Sequence, residues 1–283
     1  MKIAYTVWTW MMEEFGRDVP TDRAEAHFEE AVRSISYLRY PCIENFNFIV
    51  PLYENRPEDL KKLLEKYNLQ LVNLYHTYYE DGTEETLKKW LDLGERTCKL
   101  LQYCGAKHIN VQGNIWQDEP YYRPTDYPRL DRYVDAFMKM GAISKKYGIQ
   151  TCLHPHGGTS MLTEESLDYF IKKADTDLVR LTLDTAHTVL GGMDPVYAFD
   201  KYGDLISYVH FKDIDPDETN IITRPNDRFR ALGQGFIDFR NVVKTLEKHG
   251  YDGVICVEND RPLVCSFESA QYSRNYIRAV LGM

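Results

Sequence analysis

The sequence predicts a single (β/α)8 barrel of the TIM type over residues 1–283, and three observations carry that expectation. Strand-like and helix-period segments alternate eight times along the chain. The 283 residues suit a fold that needs about 250. Four apolar runs end abruptly on residues that ligate metals: Gly148-Ile-Gln-Thr-Cys-Leu-His154-Pro-His156, Val179-Arg-Leu-Thr-Leu-Asp184-Thr-Ala-His187, Leu205-Ile-Ser-Tyr-Val-His210-Phe-Lys212-Asp213 and Val254-Ile-Cys-Val-Glu258-Asn-Asp260. In such a barrel the carboxyl ends of all strands meet at one face, where active sites form.

Lys2-Ile-Ala-Tyr-Thr-Val7 reads as the first strand, Ala24 to Leu38 as a helix and Pro41 to Phe46 as the second strand. Pro57 opens a helix to Tyr67, since proline suits a first helical turn. Leu69 to Tyr75 is the third strand, ending at His76, and Glu84 to Tyr103 a long amphipathic helix. His108 to Gln112 is the fourth strand, and Asn114 to Arg129 an excursion loop rich in aromatics and proline. Leu130, Val134, Phe137 and Met138 repeat at helical spacing up to Gly148. Leu167, Phe170, Ile171 and Ala174 mark the next helix, Phe239, Val242, Val243 and Leu246 the one before the last strand, and Ser269 to Val280 the closing one. An open doubly wound sheet would announce itself with a glycine-rich first turn, which is absent.

The 43 acidic against 34 basic residues give a net charge of −9, which disfavours a nucleic-acid partner. No apolar run approaches the ~20 residues of a membrane span, and the start lacks a signal h-region, so a cytoplasmic protein is expected. Six scattered cysteines without a C-x-x-C pair read as small buried hydrophobes in a reducing compartment. Trp8, Trp10, Tyr75, Tyr78, Tyr79, Trp116, Tyr121 and Tyr122 stand at strand ends or in loops, where they can wall a pocket. Helix faces and aromatic loops allow a homo-oligomer or a partner subunit without requiring one.

Residues two apart on a strand share a face. If Asp184, His210 and Glu258 point inward, then Leu183, Val209 and Val257 point to the helices, and all three are apolar. His154, Asp184, His210 and Glu258 thus form a ready set for Mn, Co, Zn or Mg. A lone histidine is otherwise a satisfied structural residue; four strand ends together favour a site. His187, three residues past Asp184, reaches the rim, where it can bind substrate hydroxyls. Lys212 offers a compact charge to a carbonyl or enolate oxygen, or else a salt bridge to Asp213 or Asp215. Trp8, Glu44, His76 and Gln112 are candidate contacts to a polyhydroxylated ligand, with a structural role the alternative for the last three. His27, His108 and His249 read as surface or packing residues.

At these residues the chain resembles the xylose isomerase-like TIM-barrel family, which includes sugar isomerases and epimerases, inosose dehydratases and type 4 apurinic endonucleases. Leu183-Asp184-Thr-Ala-His187, Tyr208-Val-His210-Phe-Lys212-Asp213, Leu232-Gly-Gln-Gly235-Phe-Ile-Asp-Phe239 and Val257-Glu258-Asn-Asp260 carry the likeness and look most like inosose dehydratase-type members. The resemblance implies that Asp184, His210 and Glu258 bind a divalent cation and that Glu258 doubles as a base. The family's fifth strand usually supplies a Glu; here His154-Pro-His156 stands there, which leaves open which histidine binds metal and which serves as second acid or base.

The implied enzyme is a metal-dependent isomerase or epimerase acting on a keto-sugar or keto-cyclitol through an enediolate. Expulsion of a β-hydroxyl from the same intermediate would instead make it a dehydratase. The balance leans narrowly to isomerisation, because proton transfer between carbons is commoner in the wider family. An endonuclease fits less well. His76, Asp184, His187, His210 and Glu258 match its ligand positions, but Phe229 in Asn226-Asp227-Arg228-Phe229 and Gln112 replace two imidazoles. A non-catalytic binding barrel is the remaining alternative.

Overall fold

A computed structural model of the chain describes residues 1–12, 20–114, 124–216 and 228–283. Its strands are β1 (Lys2–Thr6), β2 (Cys42–Phe46), β3 (Gln70–Thr77), β4 (His108–Gln112), β5 (Gln150–Leu153), β6 (Val179–Asp184), β7 (Ile206–Phe211), β8 (Asp213–Ile214), β9 (Phe229–Arg230) and β10 (Val254–Val257). Eight of them close a barrel in the order β1-β10-β7-β6-β5-β4-β3-β2, all parallel, as the sequence predicts. The remaining two, β8 and β9, pair antiparallel as a ribbon above the end of β7.

The helices are α1 (Thr21–Tyr37), α2 (Val50–Tyr53), α3 (Pro57–Lys66), α4 (Glu84–Cys104), α5 (Tyr127–Lys145), α6 (Glu164–Lys173), α7 (Thr185–Leu190), α8 (Pro195–Lys201), α9 (Phe239–Lys248) and α10 (Ser266–Tyr276), the last followed by a π-helical turn. Their starts follow from short polar side chains that satisfy orphan N–H groups. Thr83, Asp126, Thr163, Asp194 and Asp238 each accept from the backbone N–H three residues on. Gly105, at φ 78°, ends α4 in the left-handed conformation that glycine adopts without penalty. The Asn114–Arg129 loop ends earlier than expected, because Asp126 caps α5 and Pro128 fits its first turn; residues 115–123 lie outside the described part. Among the described residues no helix is long and apolar enough to cross a membrane.

The core has two layers. Outward-facing Leu183, Val209 and Val257 pack with Phe28, Phe137, Phe170, Phe199 and Phe239 between strands and helices. Each buried Phe contributes roughly 1.5–3 kcal/mol. Ala4, Cys42, Val72, Cys152, Tyr208, Val254 and Cys256 form a smaller cluster inside the barrel. The expectation of buried thiols holds for Cys42, Cys98, Cys152 and Cys256; Cys104 is half-buried, and Cys265 is exposed and caps α10.

One irregularity matters for the site. The β2–β3 register runs Ile43↔Leu71 and then Glu44↔Asn73, so β3 carries one extra residue at Val72. A bulge of this kind flips the facing of every residue beyond it. Val72 joins the interior cluster, yet Asn73 also faces inward, onto Glu44, and Tyr75 onto His154, while His76 is turned outward.

Candidate metal centre and active site

The carboxyl ends of β5, β6, β7 and β10 bring His154, Asp184, His210, Lys212 and Glu258 together, and every one of them is buried. Two overlapping groups there, His154–Asp184–His187 and Asp184–His210–Glu258, each hold their ligand atoms within 4.8 Å of one another, as does a deeper group, Glu44–His210–Cys256. Asp184 joins the first two. Its Oδ1 accepts the His187 N–H at 2.8 Å and so caps α7, while the buried Oδ2 has no hydrogen bond among the described residues. His154 faces it, Nε2 to Oδ2 at 3.9 Å, and neither of its ring nitrogens has a hydrogen-bond partner among the described residues.

Leaving such atoms buried and unpaired costs about 1–3 kcal/mol each. Converging N and O donors of this kind fit a divalent cation, whose bonds would replace the missing partners. His154 is also held neutral, as a ligand must be. Burial pushes its basicity far down, and the charge on His210 pushes it further.

His210 is the opposite case. Burial disfavours its charge, but the Glu44 and Glu258 carboxylates outweigh burial and raise it to about 10. Its Nδ1 lies 2.8 Å from Glu258 Oε2 and 3.8 Å from Asp184 Oδ2; its Nε2 lies 3.0 Å from Glu44 Oε2. For Glu258, burial favours the neutral acid, yet Lys212 and His210 prevail and hold its carboxyl well below the usual range.

The Lys212 ammonium sits 2.9 Å from Asp260 Oδ2, 3.0 Å from Glu258 Oε2 and 3.6 Å from Asp184 Oδ2, with the Phe229 ring 4.6 Å away. Those carboxylates raise its basicity despite burial. Its partners are therefore not Asp213 or Asp215. Asp213 instead accepts from the backbone N–H groups of Gly233, Gly235, Ile214 and Ile237, anchoring the Gly233–Gly235 turn, while Asp215 pairs with Arg230. Asp260 is a site residue that the sequence pairs with Glu258 but gives no role. Burial lifts it to about 7 against the pull of Lys212, and Glu258 adds to the lift.

The two fifth-strand histidines both lie beyond the end of β5 at Leu153, with ring centroids 5.5 Å apart. His156 leans on the His187 ring, centroids 3.8 Å apart, with Nδ1 2.7 Å from the Gly157 carbonyl. Burial lowers its pKa to about 4. His187 accepts the Gly157 N–H on Nδ1 at 3.1 Å and has Nε2 3.3 Å from the Lys212 ammonium, deeper than the rim position expected of it.

Among the proposed ligand contacts, Gln112 stays inside the barrel, donating to Thr77 Oγ1 at 3.3 Å. Trp8 is half-buried with its ring 5.0 Å from Phe46, which stacks in turn on Tyr75. Tyr75 reaches the cluster, its ring 5.2 Å from His154. Glu44 lies buried against His210 and Asn73. His76 points away from the cluster. The β3 bulge turns it toward α4, where it stacks on Trp90 and bonds the Trp90 carbonyl and Asn47. Trp10 packs edge-on to Tyr5, Tyr78 packs on Trp90, Tyr79 is exposed, and Trp116, Tyr121 and Tyr122 lie outside the described residues.

Residues 31–279 match the model of the family described as xylose isomerase-like TIM barrel. An inosose dehydratase of Lacticaseibacillus casei is 28% identical over 287 residues, covering 94% of each chain. One from Bacillus licheniformis is 31% identical over 244 residues, covering 78% of this chain and 79% of that one. Among solved structures, the IolI protein with a bound zinc atom superposes with a TM-score of 0.78 at 17% identity, over 100% of this chain and 98% of that one. The 3-keto-D-glucoside 4-epimerase YcjR of E. coli does so at 0.74 and 18% identity, over 98% and 99%. The closed barrel and the extended family match together show that the chain belongs to the xylose isomerase-like TIM-barrel family.

Proposed function

We propose that this chain is a divalent-cation-dependent enzyme that removes the proton beside the carbonyl of a keto-cyclitol or keto-sugar and then expels a β-hydroxyl as water. The observation that carries this reading is the pair of buried atoms His154 Nε2 and Asp184 Oδ2, without hydrogen bonds among the described residues and facing one another beside His210 Nδ1 and Glu258 Oε2. His154, Asp184, His210 and Glu258 would hold the cation, of the Mn, Co, Zn or Mg class, and when bound it would polarise the substrate's carbonyl and hydroxyl oxygens.

The chain's own groups do the rest. Glu258, kept ionised by Lys212 and His210, accepts the proton from carbon. The Lys212 ammonium faces the oxygen on which negative charge develops. The new C=C bond forms as the β-carbon–oxygen bond breaks, and the departing hydroxyl takes a proton to leave as water. His156 and His187, on the β5–β6 side, are placed to carry that proton. Trp8 and Gln112 remain the proposed walls of the substrate pocket.

Elimination is put ahead of isomerisation because curated relatives matching this chain over 94% of its length and 93–94% of their own carry the name inosose dehydratase. The second reading, isomerisation or epimerisation of a ketose, is favoured by the strand order, in which β10 with Glu258 and β5 with its imidazoles stand three apart around the closed barrel. Such an arrangement suits returning the proton to a neighbouring carbon or to the other face. The small-molecule reading is supported at β9, where the Phe229 ring packs on Lys212 and His187 and offers no ligand for a further metal.

Solvent-deuterium incorporation and product mass across inososes, ketoses and keto-glycosides, with Mn or Co present, test this. Loss of 18 mass units supports elimination, and exchange at unchanged mass supports the second reading. Absence of C–H exchange with every substrate would remove both.

A further inference from the structure

We infer that Glu44 is a positioning residue that fixes which nitrogen of His210 faces the cation; the inference rests on the metal-centre reading above. Glu44 comes from β2 and His210 from β7, and in the closed barrel two strands, β10 and β1, stand between them. Their contact therefore crosses the interior, Glu44 Oε2 to His210 Nε2 at 3.0 Å, with both side chains buried.

Glu44 is itself held. Asn73 Nδ2 donates to the same Oε2 at 2.8 Å, and the Asn73 side-chain oxygen accepts the Asn110 N–H at 3.0 Å. The Asn110 side-chain oxygen in turn accepts from Thr182 at 2.7 Å. The β3 bulge is what brings Asn73 level with Glu44 on the inner face.

The chemistry follows from the two ring nitrogens. A neutral imidazole has one N–H and one lone pair, and whichever nitrogen donates to a carboxylate leaves the other free for a cation. Both ring nitrogens face carboxylates, Nε2 toward Glu44 at 3.0 Å and Nδ1 toward Glu258 at 2.8 Å, with Asp184 Oδ2 3.8 Å from Nδ1. A cation held by Asp184 and Glu258 would replace the proton on Nδ1, while Nε2–H stays with Glu44. Carboxylates behind ligand histidines orient the ring and raise its basicity, and their loss typically lowers metal affinity 10–100-fold. A Glu44 in contact with substrate would have no such effect on the metal alone.

The test is chelator competition with Co or Zn on purified full-length protein, without substrate, for wild type, Glu44→Gln, Thr182→Val and Asp184→Ala. Glu44→Gln should bind metal about 10–100-fold more weakly and change the Co absorption bands. Thr182→Val disturbs the same interior network away from His210 and should keep both affinity and spectrum. Unchanged affinity in Glu44→Gln, with Asp184→Ala emptied, overturns this inference and leaves the metal centre standing; metal retained in Asp184→Ala removes the centre itself. Should Glu44→Gln not fold, nitrogen-15 NMR of zinc-loaded wild type decides, with the His210 signal assigned by difference from His210→Gln. A protonated Nε2 and metal-bound Nδ1 are expected, and the reverse overturns the inference.

Discussion

The Lys212 ammonium stands 3.0 Å from Glu258 Oε2, and neither side chain has appreciable contact with water. An ion pair in such surroundings survives because more than two groups share it. Asp184, Asp260 and His210 complete the network, and each carboxylate that stays ionised does so against the cost of burial. The same arrangement gives a base that is charged at neutral pH and a cation beside the oxygen it would serve.

Glu258→Gln is expected to lower turnover by at least about 10³-fold, since it removes the proposed base and a charged ligand together. Circular dichroism should show the barrel intact. Residual turnover within tenfold of wild type would exclude Glu258 as the base.

Lys212→Met should reduce kcat by about 10²–10³-fold while KM changes only a few-fold, if the ammonium acts on charge that develops in the transition state. It should also destabilise the fold by roughly 3–5 kcal/mol, because three buried carboxylates lose their counter-charge. Normal kcat in a destabilised Lys212→Met enzyme would assign the residue to structure alone.

The purified protein is expected to carry about one divalent cation per chain, because four converging N and O donors hold a metal far better than a pair. Elemental analysis of Asp184→Ala and His210→Ala should show loss of that metal with the fold retained. Full occupancy in both variants would rule out this ligand set.

Acid should destabilise the fold earlier than its surface carboxylates alone require. Burial lowers His76 to about 4, with the Trp90 carbonyl opposing, and burial lowers His108 to about 4 as well. Both titrate near 6.5 when unfolded. Between those values the unfolded chain binds more protons than the folded one. The stabilisation is therefore fully present above pH ~6.5 and is lost as pH falls toward ~4, on the order of 3 kcal/mol for each histidine. Urea midpoints measured from pH 7.5 to 4.5 check this, and a flat profile between pH 6.5 and 5 contradicts it.

Most of the barrel and the heart of its site were written in local pattern. Period-two facing along β6, β7 and β10 separates Asp184, His210 and Glu258 from Leu183, Val209 and Val257, and the structure keeps that separation. Short polar caps and Pro57 mark helix starts for the same local reason. The narrow sequence-based preference for isomerisation had no such local basis, since both reactions begin with one proton abstraction.

What the tertiary structure alone decided are relationships between strands. The extra residue in β3 reversed the facing of His76, and a bulge leaves no mark in the alternation that precedes it. Barrel closure set Glu44 behind His210 from a strand 166 residues away. The start of α7 at Thr185 placed His187 against both fifth-strand histidines, its ring 5.4 Å from His154 and 3.8 Å from His156. Lys212 found Glu258 and Asp260 rather than its neighbours Asp213 and Asp215, because its side chain crosses to β10 while Asp213 is taken up by backbone N–H groups. A sequence fixes the face from which a side chain leaves its own strand; which partner it meets depends on strand register and closure, and those are set by contacts distant along the chain.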